Sequence, residues 1–519
     1  MNECGDALVT GFRRIFEIIV GLSFLPAILA ASSCAPSSDE AVEQWNLVKL
    51  HISDKEVIEE VEQDSTAMSL VRQIRSLDYR FVSNIGPGFL WVIVDDVDLR
   101  SLRDQGYDFD EIMREGEREL FKRMVWGPRM ELPDGYHTYG EIIDELRSFH
   151  LRFPGITHLE SIGRTQGFGE EIFALKVSDN AVTREDEPRI LFSAAIHGNE
   201  IMGTELCMAL IDELVDGYGQ VDSITRAVDG LEIWFVPVIN ADGYSISTTD
   251  HPMWRKNARD NNGDGRLSDG DGVDLNRNFD FSFEASGSED PSSRFYRGTA
   301  PFSESGARMM ATFVENEKFL FSVTYHSAEA RVYYPWRISR NGEEKYSSED
   351  ILLTGIAEAI AGRIRCLNDD YYYEAVRNTF DDAYTTNYYY GVLGTLDFMI
   401  ELGKYDHMYP KPVLERIINN NRPGAHYLLE RAHGPGLTGV VTDSKTGEPA
   451  QAIVRILPFD TGDITPRTTD PATGRYFRVL QPGEYSLEIE AEGIVVKRIE
   501  TVVVKDGGWT VLNVMINRR

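Results

Sequence analysis

Cysteine is scarce in this chain. Its 519 residues include only Cys4, Cys34, Cys207 and Cys366, and none of them forms a CxxC pair. A disulfide scaffold needs many closely spaced cysteines, so that class of small stapled protein is excluded. Cys207 and Cys366 lie in apolar helical contexts, which predicts thiols buried in a hydrophobic core.

Basic residues are too few for a nucleic-acid partner. Lys and Arg number 52 against 84 Asp and Glu, which gives a formal net charge of −32. Binding to a phosphate backbone needs a basic face, so we expect no nucleic acid among the partners. The composition, 42% hydrophobic and 26% charged, is that of a globular protein, and the length predicts several domains.

One apolar run near the N-terminus indicates targeting. Two arginines precede Ile15–Ala30, and small residues follow it. This arrangement is typical of an export signal, which we place at residues 1–33. Glu17 and Pro26 interrupt the run, which argues against a membrane span.

Residues 31–34, Ala-Ser-Ser-Cys, follow this run and resemble a bacterial lipoprotein processing site, with Ala where that pattern has Leu. We therefore expect an exported protein that is periplasmic, a cell-envelope lipoprotein or secreted. A lipid on Cys34 would attach it to a membrane.

The rest of the chain changes its pattern twice. Residues 41–128 alternate strand-like and helical segments, which predicts a small α+β domain. Residues 130–435 alternate apolar runs with helices, which indicates an α/β fold: a mixed, mainly parallel sheet with helices on both faces. Residues 436–519 consist of short strands and turns, which predicts a small β-sandwich. The runs expected to form central strands are Arg189–Ile196, Leu231–Val238, Leu320–Tyr325 and Thr395–Ile400.

Candidate zinc ligands stand where such strands end. His197 and Glu200 follow the first run, and His326 closes the third. A catalytic zinc takes three N or O ligands from the protein and keeps one position open. Glu401 closes the fourth run, where burial would raise the carboxyl pKa and suit it to act as a base beside zinc-bound water. Each of these residues alone also fits an ordinary strand end.

Three arginines, Arg255, Arg259 and Arg277, lie in one stretch of loop. In an acidic protein, such an island is better explained by a bound anion than by solvation, because an arginine fork binds a carboxylate with two hydrogen bonds.

These motifs together resemble the zinc carboxypeptidase (funnelin) family over about 300 residues. They occur in the family's order: His197–Glu200, Met253–Lys256, Val273–Phe279, His326–Ser327 and Ile400–Leu402.

The resemblance implies roles for these residues and a substrate. It makes Glu401 the general base and Arg255 the group that stabilises the oxyanion. It makes Asn276 and Arg277 a clamp for the C-terminal carboxylate of a peptide or protein. It also implies a substrate-capping tyrosine, for which Tyr373 is our candidate. It implies a specificity residue as well, and Asp381 or Asp382 in that place would favour a basic C-terminal side chain.

The resemblance also extends to the flanking domains. The motif His-Gly-Asn-Glu is similar to the regulatory branch of the family, whose members carry a transthyretin-like sandwich where residues 436–519 stand. The N-terminal domain occupies the position of a propeptide.

A calcium loop is a further prediction. Asp260, Asn262, Asp264 and Asp271 fit a D-x-N-x-D-G pattern with an acid at the twelfth place. Oxygen ligands at this spacing wrap Ca²⁺, although a solvated acidic turn has the same composition.

Two other functions fit part of this pattern. An amidase or deacylase acting on cell-wall peptides could use the same zinc site, and a catalytically inactive protein could bind peptides. The clamp argues against the first, and Glu401 with Arg255 argues against the second.

Overall fold

The computed structural model describes residues 45–51, 85–86, 89–95, 109–111, 132–249, 251–340, 343–367, 371–379, 383–404, 408–457, 459–460 and 464–517. The predicted export signal, Cys34, Asp381 and Asp382 lie outside these residues. The chain divides into two compact units, residues 1–128 and 129–519.

The described part of the first unit is an antiparallel sheet in the order β2-β3-β1-β4. Its strands are β1 Trp45–His51, β2 Ile85–Gly86, β3 Phe89–Asp95 and β4 Phe109–Glu111.

An eight-stranded sheet in the order β13-β10-β14-β9-β7-β8-β6-β5 forms the centre of the second unit. The inner strands β14, β9, β7 and β8 are mutually parallel, while β5, β6 and the β10/β14 pair add antiparallel contacts. Its strands are β5 Thr157–Arg164, β6 Glu171–Val177, β7 Arg189–Ala194, β8 Glu232–Val236, β9 Phe321–His326, β10 Arg331–Tyr334, β13 Glu374–Arg377 and β14 Leu396–Glu401. A separate hairpin pairs β11 Arg337–Arg340 with β12 Glu343–Tyr346.

Helices cover both faces of this sheet. They are α1 Tyr139–Arg152, α2 Met202–Gly217, α3 Asp222–Val228, α4 Ala241–Ser247, α5 Ser305–Glu317, α6 Asp350–Ala361, α7 Thr385–Gly391 and α8 Lys411–Arg431. On one face, Tyr325 lies beneath Gly203 of α2. On the other, Trp234 packs edge-on against Phe313 of α5. The α/β prediction is therefore confirmed. None of the helices in the described ranges combines the length and apolarity of a membrane span.

The C-terminal strands pair in two sheets, one built on β15 with β17, β20 and β21, the other in the order β16-β18-β19. They are β15 Gly436–Asp443, β16 Ile453–Leu457, β17 Arg475–Val479, β18 Gly483–Ala491, β19 Ile494–Val504, β20 Trp509–Val511 and β21 Val514–Ile516. We call this region the C-terminal sandwich. It has an apolar core of its own, yet Ile464 and Val479 belong to the core of the α/β region.

Candidate metal centre and active site

Two neighbouring parallel strands bring the predicted metal ligands together. β7 and β9 pair with Ala194 opposite Tyr325, so His197 and His326 emerge at the same edge of the sheet. Glu200 stands in the turn between β7 and α2. All three side chains are buried, with at most 4% of their surface exposed.

The donor atoms of these residues converge on one point. Nδ1 of His197 lies 2.8 Å from one carboxylate oxygen of Glu200, and Nδ1 of His326 lies 2.9 Å from the other. The two Nδ1 atoms are 3.2 Å apart. A tetrahedral zinc with bonds of about 2.0–2.1 Å would place its ligand atoms roughly 3.3 Å apart, so the donor set fits this metal.

The charge state of these groups also suits a metal. Burial lowers the pKa of His326, which favours the neutral imidazole that a metal requires. Burial would raise the pKa of Glu200, but the adjacent His197 and His326 hold it well below its usual range. Glu200 is therefore an anion, which suits its predicted role as an oxygen ligand.

Asp274 lies next to the predicted metal ligands, although the sequence motifs give it no role. Its Oδ1 is 3.3 Å from Nε2 of His197, and its Oδ2 accepts a hydrogen bond of 3.0 Å from Nε of Arg255. Burial would raise the pKa of Asp274, but Arg255 and Arg277 hold it well below its usual range. A carboxylate on the far nitrogen of a ligand histidine fixes its ring orientation.

Arg255 borders the metal centre directly. It is 9% exposed and donates a hydrogen bond of 3.2 Å from Nη1 to Glu200. The same guanidinium is held by Asp274, so its position is fixed on two sides. A fixed cation at this place can stabilise negative charge that develops on a substrate oxygen.

Glu401 lies opposite His326 in the register of β14 and β9. The N–H of Leu402 donates to the carbonyl oxygen of His326 at 2.8 Å, which fixes the chain just after Glu401. Neighbouring strands lie about 4.8 Å apart, so the ladder places Glu401 beside the metal centre.

The predicted clamp residues lie in a short 3₁₀ turn, Leu275–Arg277. Oδ1 of Asn276 accepts a hydrogen bond of 2.9 Å from the N–H of Thr385, whereas its buried Nδ2 has no hydrogen-bond partner within the described ranges. Nη1 of Arg277 donates to the carbonyl oxygen of Asn276 at 2.9 Å. The turn thus presents an amide donor and a guanidinium side by side.

Arg259, which the sequence groups with Arg255 and Arg277, has a different environment. It pairs with the buried carboxylate of Glu304 at 2.5 Å. Its charge is neutralised by that partner, so it supports the loop.

The hydroxyl of Tyr373, the predicted capping residue, hydrogen-bonds within the protein, and its capping role stays a prediction. Tyr373 is 7% exposed, and its hydroxyl accepts hydrogen bonds from the N–H of Gly403 at 3.0 Å and from Nδ2 of Asn421 at 3.4 Å. Tyr384 instead stacks on Arg277, with the guanidinium carbon 4.4 Å from the ring centre. Tyrosines occur at 371–373, 384 and 388–390, and no sequence pattern distinguishes Tyr384 among them.

In the predicted calcium loop, the loop's own N–H groups use its side-chain oxygens. Asp260 accepts from Gly263 and Gly265 at 2.7 and 2.8 Å. Asn262, Asp264 and Asp271 accept similar main-chain hydrogen bonds. Calcium binding stays a prediction.

This chain is similar in sequence and in fold to known carboxypeptidases. The zinc carboxypeptidase family model matches residues 142–424. The carboxypeptidase N catalytic chain of Rattus norvegicus is 26% identical over 421 residues, covering 74% of this chain and 86% of that protein. A zinc carboxypeptidase of Saccharothrix mutabilis subsp. capreolus is 35% identical over 155 residues, covering 30% of this chain and 34% of that protein, about a third of its length. Among solved structures, thrombin activatable fibrinolysis inhibitor has a TM-score of 0.58 at 17% identity over 75% of this chain and 99% of that one, so the fold is shared.

Proposed function

Because the chain belongs to the zinc carboxypeptidase family, we propose that it removes the C-terminal residue of peptides or proteins by zinc-assisted hydrolysis. The observation that carries this proposal is the convergence of His197, Glu200 and His326 within hydrogen-bonding distance of one another. Zinc held there would polarise the scissile carbonyl and lower the pKa of a bound water.

Glu401 is the proposed base. Its place opposite His326 puts a carboxylate beside the metal ligands, where it takes the proton of the attacking water and passes it to the leaving amine. Arg255 donates hydrogen bonds to the substrate carbonyl oxygen as it becomes negatively charged. Its guanidinium needs no rearrangement for this role, since Glu200 and Asp274 already fix it.

The clamp gives the enzyme its preference for chain ends. Nδ2 of Asn276, which has no hydrogen-bond partner among the described residues, and the adjacent guanidinium of Arg277 supply donors that suit a carboxylate. Tyr384, stacked on Arg277, lies where it would cover a bound C-terminal residue. An amidase acting inside a chain would gain nothing from this pair.

The test compares a peptide with a free C-terminus and the same peptide with an amidated C-terminus, each with and without a zinc chelator. We expect hydrolysis of the free peptide only, lost with chelator and restored by zinc. Equal hydrolysis of both peptides would refute the exopeptidase assignment, and full activity in chelator would refute the metal.

Glu401→Gln separates the base from the metal. We expect this variant to bind zinc as the wild type does while kcat falls at least 100-fold, because general base catalysis typically contributes about 10²–10⁴-fold. Kinetics and metal content are measured on the same preparation. Retained activity at full zinc occupancy would show that another group takes the proton.

A further inference from the structure

Glu349 lies at the contact between the C-terminal sandwich and the α/β region and is 2% exposed. Arg467 of the sandwich binds both of its oxygens, at 2.9 and 2.8 Å. Arg478, also of the sandwich, reaches the same carboxylate at 3.3 Å. A buried carboxylate is stable only when its charge is paired, so Glu349 depends on these two arginines.

The contacts of Arg467 and its neighbours continue to one end of α7. Nε of Arg467 donates to the carbonyl oxygen of Gly394 at 2.6 Å, and the N–H of Thr465 donates to that of Gly391 at 2.9 Å. The hydroxyl of Tyr390 donates to Glu349 at 3.2 Å. The sandwich therefore contacts the C-terminal end of α7 and the residues just after it at two points, and Glu349 of the α/β region adds a third.

The other end of α7 meets the clamp. The N–H of Thr385, the first residue of α7, donates to Asn276 at 2.9 Å, and the ring of Tyr384 just before it stacks on Arg277 at 4.4 Å. A helix of this length is about 10 Å long, so a shift at one end moves the other.

We propose that Arg467 is a positioning residue for substrate binding, which holds α7 so that Asn276 and Arg277 keep the geometry that grips a C-terminal carboxylate. This inference rests on the proposed function. The C-terminal sandwich is then part of the substrate-binding apparatus, although it contributes no residue to the site.

Loss of this contact affects binding more than chemistry. His326 and Glu401 are held by the ladder between β9 and β14, whereas α7 contacts β14 at Asp397, four residues before Glu401. Asn276 and Arg277 lie in a loop, and the N-terminal end of α7 contacts both of them. A substitution at Arg467 therefore raises KM and leaves kcat nearly unchanged, which is the signature of lost uniform binding.

The experiment compares Arg467→Ala and Arg467→Lys with a matched control, Arg455→Ala. Arg455 forms a similar pair with Glu490 at 2.9 and 3.2 Å, but both residues lie in the sandwich strands β16 and β18. The lysine variant leaves Glu349 a positive partner, so it tests the proposal even where the alanine variant does not fold. Lysine cannot bind both Glu349 oxygens and the Gly394 carbonyl at once.

The wild type is first assayed on free and amidated peptides; no preference for the free one refutes the proposed function itself. With that preference present, we expect KM to rise about tenfold in the Arg467 variants, the scale of one hydrogen bond to a charged group. The inhibition constant of the released amino acid rises by the same factor, and kcat and zinc content stay at the wild-type values. Unchanged KM in Arg467→Lys, or an equal rise in Arg455→Ala, overturns the positioning role.

Discussion

Asp274 connects the proposed metal ligands to the proposed clamp through a single side chain. Its carboxylate faces His197, Arg255 and Arg277, and it is fully buried. An asparagine has nearly the same shape but carries no charge, so it would hold the two arginines and the imidazole less strongly.

Asp274→Asn should therefore weaken zinc binding. We expect the dissociation constant for zinc to rise about 10- to 100-fold, as is common when the partner of a ligand histidine is lost. Competition with a chromophoric chelator measures it. The control is Asp144→Asn, whose side chain is 80% exposed and forms a surface pair with Arg147. Equal affinities in both variants would show that Asp274 does not support the metal.

The buried hydroxyl of Tyr373 contributes to the stability of the fold. Removing this hydroxyl leaves the N–H of Gly403 without its partner, which costs about 1–3 kcal/mol of stability for a buried donor. Tyr373→Phe should lower the free energy of unfolding by that amount and leave KM unchanged. Tyr371→Phe, with 66% of the tyrosine exposed, should change neither. A rise in KM at wild-type stability would return Tyr373 to a role at the substrate.

Sequence patterns predict candidate site residues at strand ends better than candidate site residues in loops. His197, His326 and Glu401 each close an apolar run, and the parallel sheet brings such ends together. Tyr373 precedes the edge strand β13, whose pairing with β10 no local pattern reveals. The stacking of Tyr384 on Arg277 depends on how two distant loops fold over each other.

Strand β14 carries a buried acid, Asp397, as well as the proposed base, Glu401. Asp397 is fully buried, and the hydroxyl of Ser322 in β9 donates to it. Burial raises the pKa of Asp397 to about 7, and hydrogen bonds from Ser322 and Thr386 oppose that rise. The folded state therefore prefers the protonated acid.

This preference makes stability depend on pH. Between the unfolded pKa of about 3.9 and the folded value, the folded state holds a proton that the unfolded state has released, so stability falls as pH rises. Through this group the wild type should lose about 1.4 kcal/mol of unfolding free energy per pH unit between pH 5 and 7, and Asp397→Asn should abolish that loss. Urea unfolding of both proteins at pH 5, 6, 7 and 8 measures the difference. Parallel pH profiles would mean that Asp397 is charged in the folded state.

Within the second unit, the C-terminal sandwich and the α/β region share part of one apolar core. The pattern of short strands and turns predicts a small β-sandwich over residues 436–519, and this region does have its own apolar core. Val479 nevertheless packs in the core of the α/β region, and Arg478 on the same strand, β17, binds Glu349. A pattern of alternating residues cannot show that one strand serves two cores.

Zinc should consequently protect the sandwich as well as its own ligands. At a free zinc concentration 100 times its dissociation constant, binding adds about 2.7 kcal/mol to the stability of whatever unfolds with the site. Hydrogen exchange read by mass spectrometry, with and without chelator, should show equal losses of protection in β9 and β17. Loss confined to β7 and β9 would instead show that the sandwich unfolds separately.

His326 and Glu401 occupy one rung of the ladder between β9 and β14. Main-chain hydrogen bonds set the width of a rung, about 4.8 Å, and almost any residue can make them. Substitutions elsewhere in the two strands therefore leave the proposed metal ligand and the proposed base at the same separation. The fold itself sets this spacing, so substitutions can accumulate in the loops that contact the substrate without changing it.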